Sequence, residues 1–293
     1  MPPPPDSPFP PPPLSSGQRE ALFRLLDDDD PCISGIAKER LITEGHGLIP
    51  WLKPHTLSNN PVLRRRAKEI LLHFEALDAD ERMRTFCRRA GEDLDLEEGC
   101  LRLAQTRYPE LNSEAYRALL DDWAARIAEW LPDDRHAAEG VLGAMRSVLF
   151  EQLGLQGNET NYYEPDNSYL NRVMDRRLGN PITLCAIVLL VGRRLSLPLV
   201  GIGLPAHFLC RFQSPTSQVY LDAFHGGRLL NRNDCIVFVN KLGRPFEESF
   251  LQPVSPRRML QRMCINLEHA YENLEMRHEL TRIRTYHGLL NGG

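Results

Sequence analysis

The chain reads GNPITL at 179–184, GLPAHFL at 203–209 and YLDAFHGG at 220–227. The residues that follow the first motif are apolar on nearly every side of a helix, so the sequence predicts a buried helix from Pro181 to Leu195. Proline suits the first turn of a helix, because its missing N–H is not needed there. One buried helix that starts at a proline is therefore expected at the centre of the fold.

Short segments rich in β-forming residues follow this helix at Leu199–Ile202, Ala206–Phe212 and Val219–Phe224, with turn residues between them. A further strand is predicted at Ile236–Val239. Helical periodicity returns at Pro256 and continues toward the end of the chain. This order predicts an α+β fold in which many helices surround a small antiparallel sheet packed on the central helix.

The N-terminal part of the chain carries no such motifs. Residues 1–17 are Pro-rich and are interpreted as an extended tail, which either binds an aromatic-lined groove or stays disordered. Residues 18–92 show helical periodicity, with a helix start where Asp30 precedes Pro31. This region resembles the start of a HEAT-type repeat, but a plain helical bundle fits it as well, because solenoids need about three repeats to be stable.

Two tryptophans mark a helix in the middle of the chain. Apolar residues recur at three- and four-residue steps from Ser113 to Trp130. Trp123 and Trp130 fall on the same face of this predicted helix, so both are expected to fill the core.

Composition excludes several classes of function. The net charge of the 293 residues is −4, which gives no drive toward nucleic acid or anionic membranes. The seven cysteines are dispersed and lack the spacing of a zinc site. They are therefore expected to be reduced thiols of a cytoplasmic protein. Neither a metal nor another cofactor is expected. No apolar run is long enough to span a membrane, and no signal peptide is recognised. Function is therefore expected to rest on His and Asp side chains.

The three motifs, together with NYYEPDNSYLN at 161–171, resemble the transglutaminase-like superfamily. More narrowly, they resemble a bacterial branch labelled as regulators of sirC expression with transglutaminase-like and TPR domains. The resemblance covers roughly residues 90–275, and only part of the usual TPR tail is matched. It implies a papain-like core with N-terminal helices at 93–252 and a C-terminal helical segment at 253–293.

The resemblance also implies a catalytic constellation that is incomplete in this chain. In active superfamily members, a Cys at the start of the buried helix is activated by a His, whose orientation an Asp fixes. His207 and Asp222 match these two residues and are expected to be hydrogen-bonded on adjacent strands, but Pro181 occupies the position of the Cys. The nearest candidate replacements are Thr183 and Cys185, which lies one turn deeper on the same helix face. Cys185 is favoured over Thr183 as a nucleophile, although a Cys in an apolar helix is usually inert.

Five further residues are assigned to the cleft. Asn161, Tyr163 and Asn167 either order a long loop or line the mouth of the cleft. Thr183 is expected to cap the helix start or to bond a backbone carbonyl. His225 is interpreted as a turn residue rather than a catalyst.

Two functions from different classes are compatible with these observations. The first is a non-catalytic regulatory or binding protein, whose cleft keeps the His–Asp pair and binds a protein or peptide partner, with no role for nucleic acid or a membrane. The second is a cysteine-type amide hydrolase or acyltransferase that uses Cys185, His207 and Asp222. The first is favoured, because the start of the buried helix carries no thiol. His207 is in that case either a structural residue bonded to Asp222 or a ligand-binding group.

Overall fold

The fold was analysed in a computed structural model, which describes residues 13–214 and 218–292. Most of the Pro-rich segment predicted at 1–17 lies outside the described residues. The chain divides into two compact units, one up to Asp78 and one from Ala79 onward.

The first unit is helical. Its helices are α1 (Ser16–Leu25), α2 (Pro31–Ile42), the short α3 (Ile49–Leu52) and the beginning of α4 (Pro61–Arg89), with 3-10 turns at Gly45–Leu48 and Lys53–Leu57. Asp30 caps α2 by accepting a hydrogen bond from the N–H of Cys32 at 2.8 Å, as the Asp–Pro sequence predicts. The helices enclose a small core that includes Phe23, Leu41 and Phe74. The HEAT-like character of this region stays a prediction, since one helical pair followed by short turns fits a bundle as well.

The second unit contains the remaining helices and all the strands of the described residues. After α4, its helices are α5 (Leu96–Gln105), α6 (Ser113–Ala128), α7 (Ala138–Arg146), α8 (Leu170–Arg176), α9 (Pro181–Arg194), α10 (Arg232–Lys241), α11 (Pro256–Asn273) and α12 (Arg277–Asn291). Its strands are β1 (Gln156–Gly157), β2 (Leu178–Gly179), β3 (Leu199–Ile202), β4 (Leu209–Gln213), β5 (Gln218–Asp222), β6 (Arg228–Leu230) and β7 (Pro253–Val254). A π-helical turn at Ser147–Gln152 follows α7.

The strands form a five-stranded antiparallel sheet in the order β6-β5-β4-β3-β7, and β1 and β2 form a separate short parallel pair. Helix α9 packs on β3 and β4 and is also in contact with α5, α6, α8 and α11. Gly192 allows α9 to approach β3 closely, because a Cβ atom there would lie 2.5 Å from Leu199 Cδ1. The predicted α+β architecture, a small antiparallel sheet on a buried central helix, is present.

Two predictions from local pattern are wrong. Ile236–Val239 belongs to α10 instead of a strand, because Asn231 and Asp234 form a capping box that starts a helix at Arg232. Trp130 is 59% exposed, whereas Trp123 is buried. Helix α6 already ends at Ala128, so the helical spacing that would bring Trp130 to the core is not maintained.

No helix among the described residues is long and apolar enough to cross a membrane.

A buried carboxylate connects three helices of the second unit. Glu97 in α5 is only 4% exposed. Its oxygens accept hydrogen bonds from Arg194 at 2.6 Å and from Arg193 at 2.8 Å, both at the end of α9. Arg117 in α6 lies 3.5 Å from the same carboxylate. Three arginines therefore compensate the charge that burial would otherwise make costly.

Replacement of Glu97 by Ala should destabilise the second unit strongly. The substitution leaves Arg194, whose side chain is 17% exposed, without its main partner. Loss of one partner of a buried ion pair costs about 3–5 kcal/mol. Chemical denaturation followed by circular dichroism measures this loss.

Glu114 provides the matched control, because it also pairs with Arg117, at 3.4 Å, but its side chain is 84% exposed. We expect Glu114→Ala to cost less than about 1 kcal/mol. Equal effects of the two substitutions would contradict the assignment of Glu97 as the buried connection.

Candidate functional site

The start of α9 forms one wall of the site. Asn180 is the N-cap, and its side-chain oxygen accepts a hydrogen bond from the N–H of Thr183 at 3.0 Å. Pro181 occupies the first helical position, which confirms the predicted start of the buried helix. The side-chain amide of Asn180 also donates to Ser168 Oγ at 2.8 Å. The helix start is therefore fixed to the loop that precedes it.

Side-chain hydrogen bonds hold that loop in place. Asn167 is 1% exposed, and its amide donates to the carbonyls of Asn161 and Tyr162 at 2.8 and 3.1 Å. Asn158 donates to Asn167 Oδ1 at 3.0 Å and accepts from the N–H of Asn161. Of the two roles considered for Asn161 and Asn167, these bonds support loop ordering, and they position the neighbouring Tyr162 and Tyr163.

A tight turn presents His207. Ala206 has a φ of +55°, a left-handed conformation that is unfavourable for residues with a Cβ atom. Arg262 in α11 stabilises the turn by donating to the carbonyl oxygens of Leu204 and His207 at 2.9 and 2.8 Å. His207 lies in this turn, two residues before β4, and not on the strand itself as predicted.

Asp222, at the end of β5, is hydrogen-bonded to two imidazole rings. His207 Nε2 lies 3.0 Å and His225 Nδ1 lies 2.8 Å from the same oxygen, Oδ2. The other oxygen, Oδ1, accepts from the backbone N–H groups of Phe224 and His225. Burial alone would raise the pKa of Asp222, but the hydrogen bonds and charges of the two imidazoles together lower it. The predicted hydrogen bond between His207 and Asp222 is thus present, and His225 forms a second one.

His207 also borders a cavity of about 490 Å³. Three elements form its walls: the loop with the two tyrosines, the start of α9, and one face of α11. The lining residues are Tyr162, Tyr163, Glu164, Ser168, Asn180, Pro181, Ile182, Ala206, His207, Phe208, Arg262, Ile265, Asn266, His269 and Ala270. Pro181 and His207 therefore face the same space.

The candidate thiol lies elsewhere. Cys185 is fully buried, and its Sγ donates to the carbonyl of Phe208 at 3.5 Å. Burial, together with the neighbouring thiol of Cys210, raises the pKa of Cys185 well above its usual value. Cys185 is absent from the cavity wall. These surroundings are those of an inert thiol.

The other predicted cleft residues separate into two groups. Tyr163 lines the cavity, whereas Thr183 and His225 do not. Thr183 does not cap the helix as expected, because Asn180 supplies the cap. Within the described residues, the buried hydroxyl of Thr183 has no hydrogen-bond partner. His225 is half-exposed and contacts Asp222 instead of forming only a turn.

Sequence reasoning missed the contribution of α11. Arg262, Asn266 and His269 follow one another at four- and three-residue steps and form one wall of the cavity. This spacing places them on one helix face, which was a recognisable signal. The pattern was obscured because the apolar residues of α11 were interpreted as a separate C-terminal segment.

Comparison with known proteins identifies the family of the chain. A family model described as the transglutaminase-like superfamily matches residues 114–265, a range that contains α9, His207, Asp222 and part of α11. The chain therefore belongs to the transglutaminase-like superfamily. No solved structure matches it significantly.

Named relatives occur in bacteria and in mammals. A UPF0162 protein of Xylella fastidiosa (strain 9a5c) is 36% identical over 194 residues, which span 62% of this chain and 66% of the relative. A UPF0162 protein of Pseudomonas aeruginosa is 30% identical over 185 residues, or 62% of this chain and 67% of the relative. Human F-box only protein 21 is 33% identical over 135 residues, but these cover only 21% of that protein. The chain thus spans about two thirds of the bacterial relatives.

Cys185 should react very slowly with alkylating agents in the native protein. Its burial and raised pKa keep it protonated and out of contact with solvent. Cys32, which is exposed, is the internal reference. In iodoacetamide time courses read by peptide mass spectrometry, we expect Cys185 to react at least about 100-fold more slowly than Cys32. Rapid labelling of Cys185 that is lost in His207→Ala would instead indicate an activated thiol.

Proposed function

We propose that this protein is a non-catalytic, regulatory member of the superfamily that binds a protein or peptide partner in the cleft beside His207. The observation that carries the proposal is the position of Pro181. It occupies the first position of α9 and lines the same cavity as His207, where active members carry their thiol.

Neither of the two candidate replacements, Cys185 and Thr183, supplies the missing nucleophile. Cys185 is one turn deeper, is buried and bonds to the Phe208 carbonyl. Thr183 is fully buried and does not line the cavity. A hydroxyl or thiol acts as a nucleophile only when a base lies within hydrogen-bond reach and the substrate can approach it. The retained His–Asp pair therefore has neither Cys185 nor Thr183 to activate, and this argues against the alternative, a cysteine-type hydrolase or acyltransferase.

The cavity has the chemical character of a peptide-binding site. Its volume falls within the range of about 300–1,000 Å³ that is common for small-ligand pockets and is large enough for a few side chains. Tyr162, Tyr163 and Ile265 supply aromatic and apolar surface, whereas Arg262, Asn266 and His269 supply polar groups.

The charges in the cavity favour a partner with hydrogen-bond acceptors. Glu164 is the acidic residue of the wall, and its carboxylate is paired with Arg176 at 2.5 Å. Arg262 donates its hydrogen bonds to neutral carbonyls, so its positive charge is not neutralised by them. We propose a partner segment that inserts an acidic or amide side chain. The dispersed reduced thiols support a cytoplasmic location for this binding.

The organisation of the chain fits such a role. We propose that residues 18–92 form a HEAT-like interaction region and that residues 93–252 carry the cleft, with α11 of the segment 253–293 completing its wall. Helices α11 and α12 pack against each other as a single antiparallel pair. We propose that this pair corresponds to one helical pair of a TPR-like tail.

Selection of binding peptides from a displayed random library against the full chain tests this function. We expect the selected peptides to bind Ile265→Trp, in which the new side chain fills the cavity, at least about tenfold more weakly than the wild type. Leu274→Trp is the control, because residue 274 follows the same helix but is 53% exposed. We further expect the bound peptides to keep their mass during prolonged incubation.

Two results would contradict the proposal. Equal binding to Ile265→Trp and the wild type would show that the peptides do not use the cavity. Cleavage or covalent attachment of a peptide that disappears in Cys185→Ala would establish the thiol enzyme instead.

A further inference from the structure

We propose that His207 Nε2, Asp222 Oδ2 and His225 Nδ1 form a binding site for a divalent first-row transition-metal ion. The site lies at Nε2 of His207, the ring nitrogen that contacts Asp222. It shares His207 with the cavity of the proposed peptide-binding function, but its other two ligands, Asp222 and His225, do not line that cavity.

The separation of the three atoms fits metal coordination. Asp222 Oδ2 lies 3.0 Å from His207 Nε2 and 2.8 Å from His225 Nδ1, and all three atoms lie within 4.8 Å of one another. With metal–ligand bonds of about 2.1 Å, neighbouring ligands are about 3.0 Å apart in an octahedron and about 3.4 Å apart in a tetrahedron. An ion would therefore replace the two hydrogen bonds, and each ring would turn so that its nitrogen points at the ion instead of at Oδ2.

The ligands are held in place by their surroundings. Both backbone N–H groups that reach Asp222 use Oδ1, so Oδ2 is directed at the two rings. The turn that carries His207 is fixed by Arg262. The ring of Phe238 lies 5.2 Å from the ring of His207 and shields it on one side. Metal sites require this kind of support from groups around the ligands.

The composition of the site selects among metals. Two imidazoles and one carboxylate suit zinc, iron, cobalt or nickel, whereas calcium and magnesium prefer oxygen ligands. His225 is half-exposed, with 48% of its side chain accessible, and offers an entry path from solvent. Three protein ligands leave at least one coordination position open, as in metal sites that bind water or a substrate group.

Metal binding would change what His207 presents to the cavity. Without metal, Nε2 donates its hydrogen to the carboxylate of Asp222, so Nδ1 of a neutral ring is an acceptor. A metal ion can bind Nε2 of the neutral ring only when its single N–H proton has moved, through solvent, from Nε2 to Nδ1, which then becomes a donor. Metal binding thereby decides whether Nδ1 of His207, a residue of the cavity wall, accepts or donates a hydrogen bond.

Other imidazole–carboxylate pairs in the described residues contain only two potential ligands. His287 Nδ1 lies 2.7 Å from Glu268 Oε1, and His46 Nε2 lies 2.7 Å from Asp78 Oδ1. Within residues 13–214 and 218–292, His207, Asp222 and His225 are the group of three that brings ligand atoms this close. The pair His287–Glu268 is therefore a suitable control for non-specific metal binding.

The test is zinc titration by isothermal calorimetry, with cobalt absorption spectra as a second readout. The full chain is first dialysed against a chelator, in a Cys32→Ser background that removes the exposed thiol. We expect about one zinc ion per chain and a dissociation constant at least about tenfold higher in His225→Ala than in the parent. His287→Ala should bind zinc as the parent does. Asp222→Asn keeps the size of the side chain and the Oδ1 acceptor but replaces the ligand oxygen by an amide nitrogen, so it should abolish binding.

Circular dichroism of every variant checks the fold, and His225→Ala is the deciding variant because its side chain is half-exposed. Zinc binding with the same affinity in His225→Ala and the parent would overturn the proposal. An equal loss in His287→Ala would overturn it as well, since binding would then not be specific to the group of His207, Asp222 and His225. Absence of measurable binding to the parent chain would have the same consequence.

Discussion

The cleft depends on the hydrogen bonds of one residue, Asn180. Its side-chain oxygen caps α9, its side-chain amide holds Ser168, and its backbone N–H donates to the carbonyl of Asn167 at 3.1 Å. Because Asn180 is 3% exposed, water cannot readily replace these bonds. This connection between loop and helix holds Pro181 next to the loop that carries Tyr162 and Tyr163, and all three residues line the cavity.

The central helix could be predicted from the sequence, because local signals specify it, whereas the His–Asp pair was expected from the resemblance to the transglutaminase-like superfamily. An apolar run that starts at a proline has few alternatives to a buried helix, and α9 begins at Pro181. The two residues that border the hairpin of β4 and β5 were expected to meet, and His207 and Asp222 do so. Three strands of the antiparallel sheet were predicted from short runs of β-forming residues separated by turn residues.

Features that depend on distant contacts were not predictable in this way. Arg262 is far from His207 in sequence, yet it fixes the turn that presents this histidine. Trp130 had the spacing of a core residue, but the end of α6 at Ala128 removes it from the core. The run Ile236–Val239 has the composition of a strand, but the capping box before it decides in favour of a helix. Tertiary contacts and caps outweigh local propensity in these cases.

The central claim is that the cleft keeps the His–Asp pair and lacks only the nucleophile. The most direct test is to restore a thiol by the substitution Pro181→Cys. A thiol at the first position of α9 would face His207 across the cavity and benefit from the helix dipole, both of which favour the thiolate. In the presence of a chelator, we expect the introduced thiol to react with iodoacetamide at least about tenfold faster than the exposed Cys32. This advantage should disappear in the double variant with His207→Ala. A rate no higher than that of Cys32, unchanged by His207→Ala, would contradict the account.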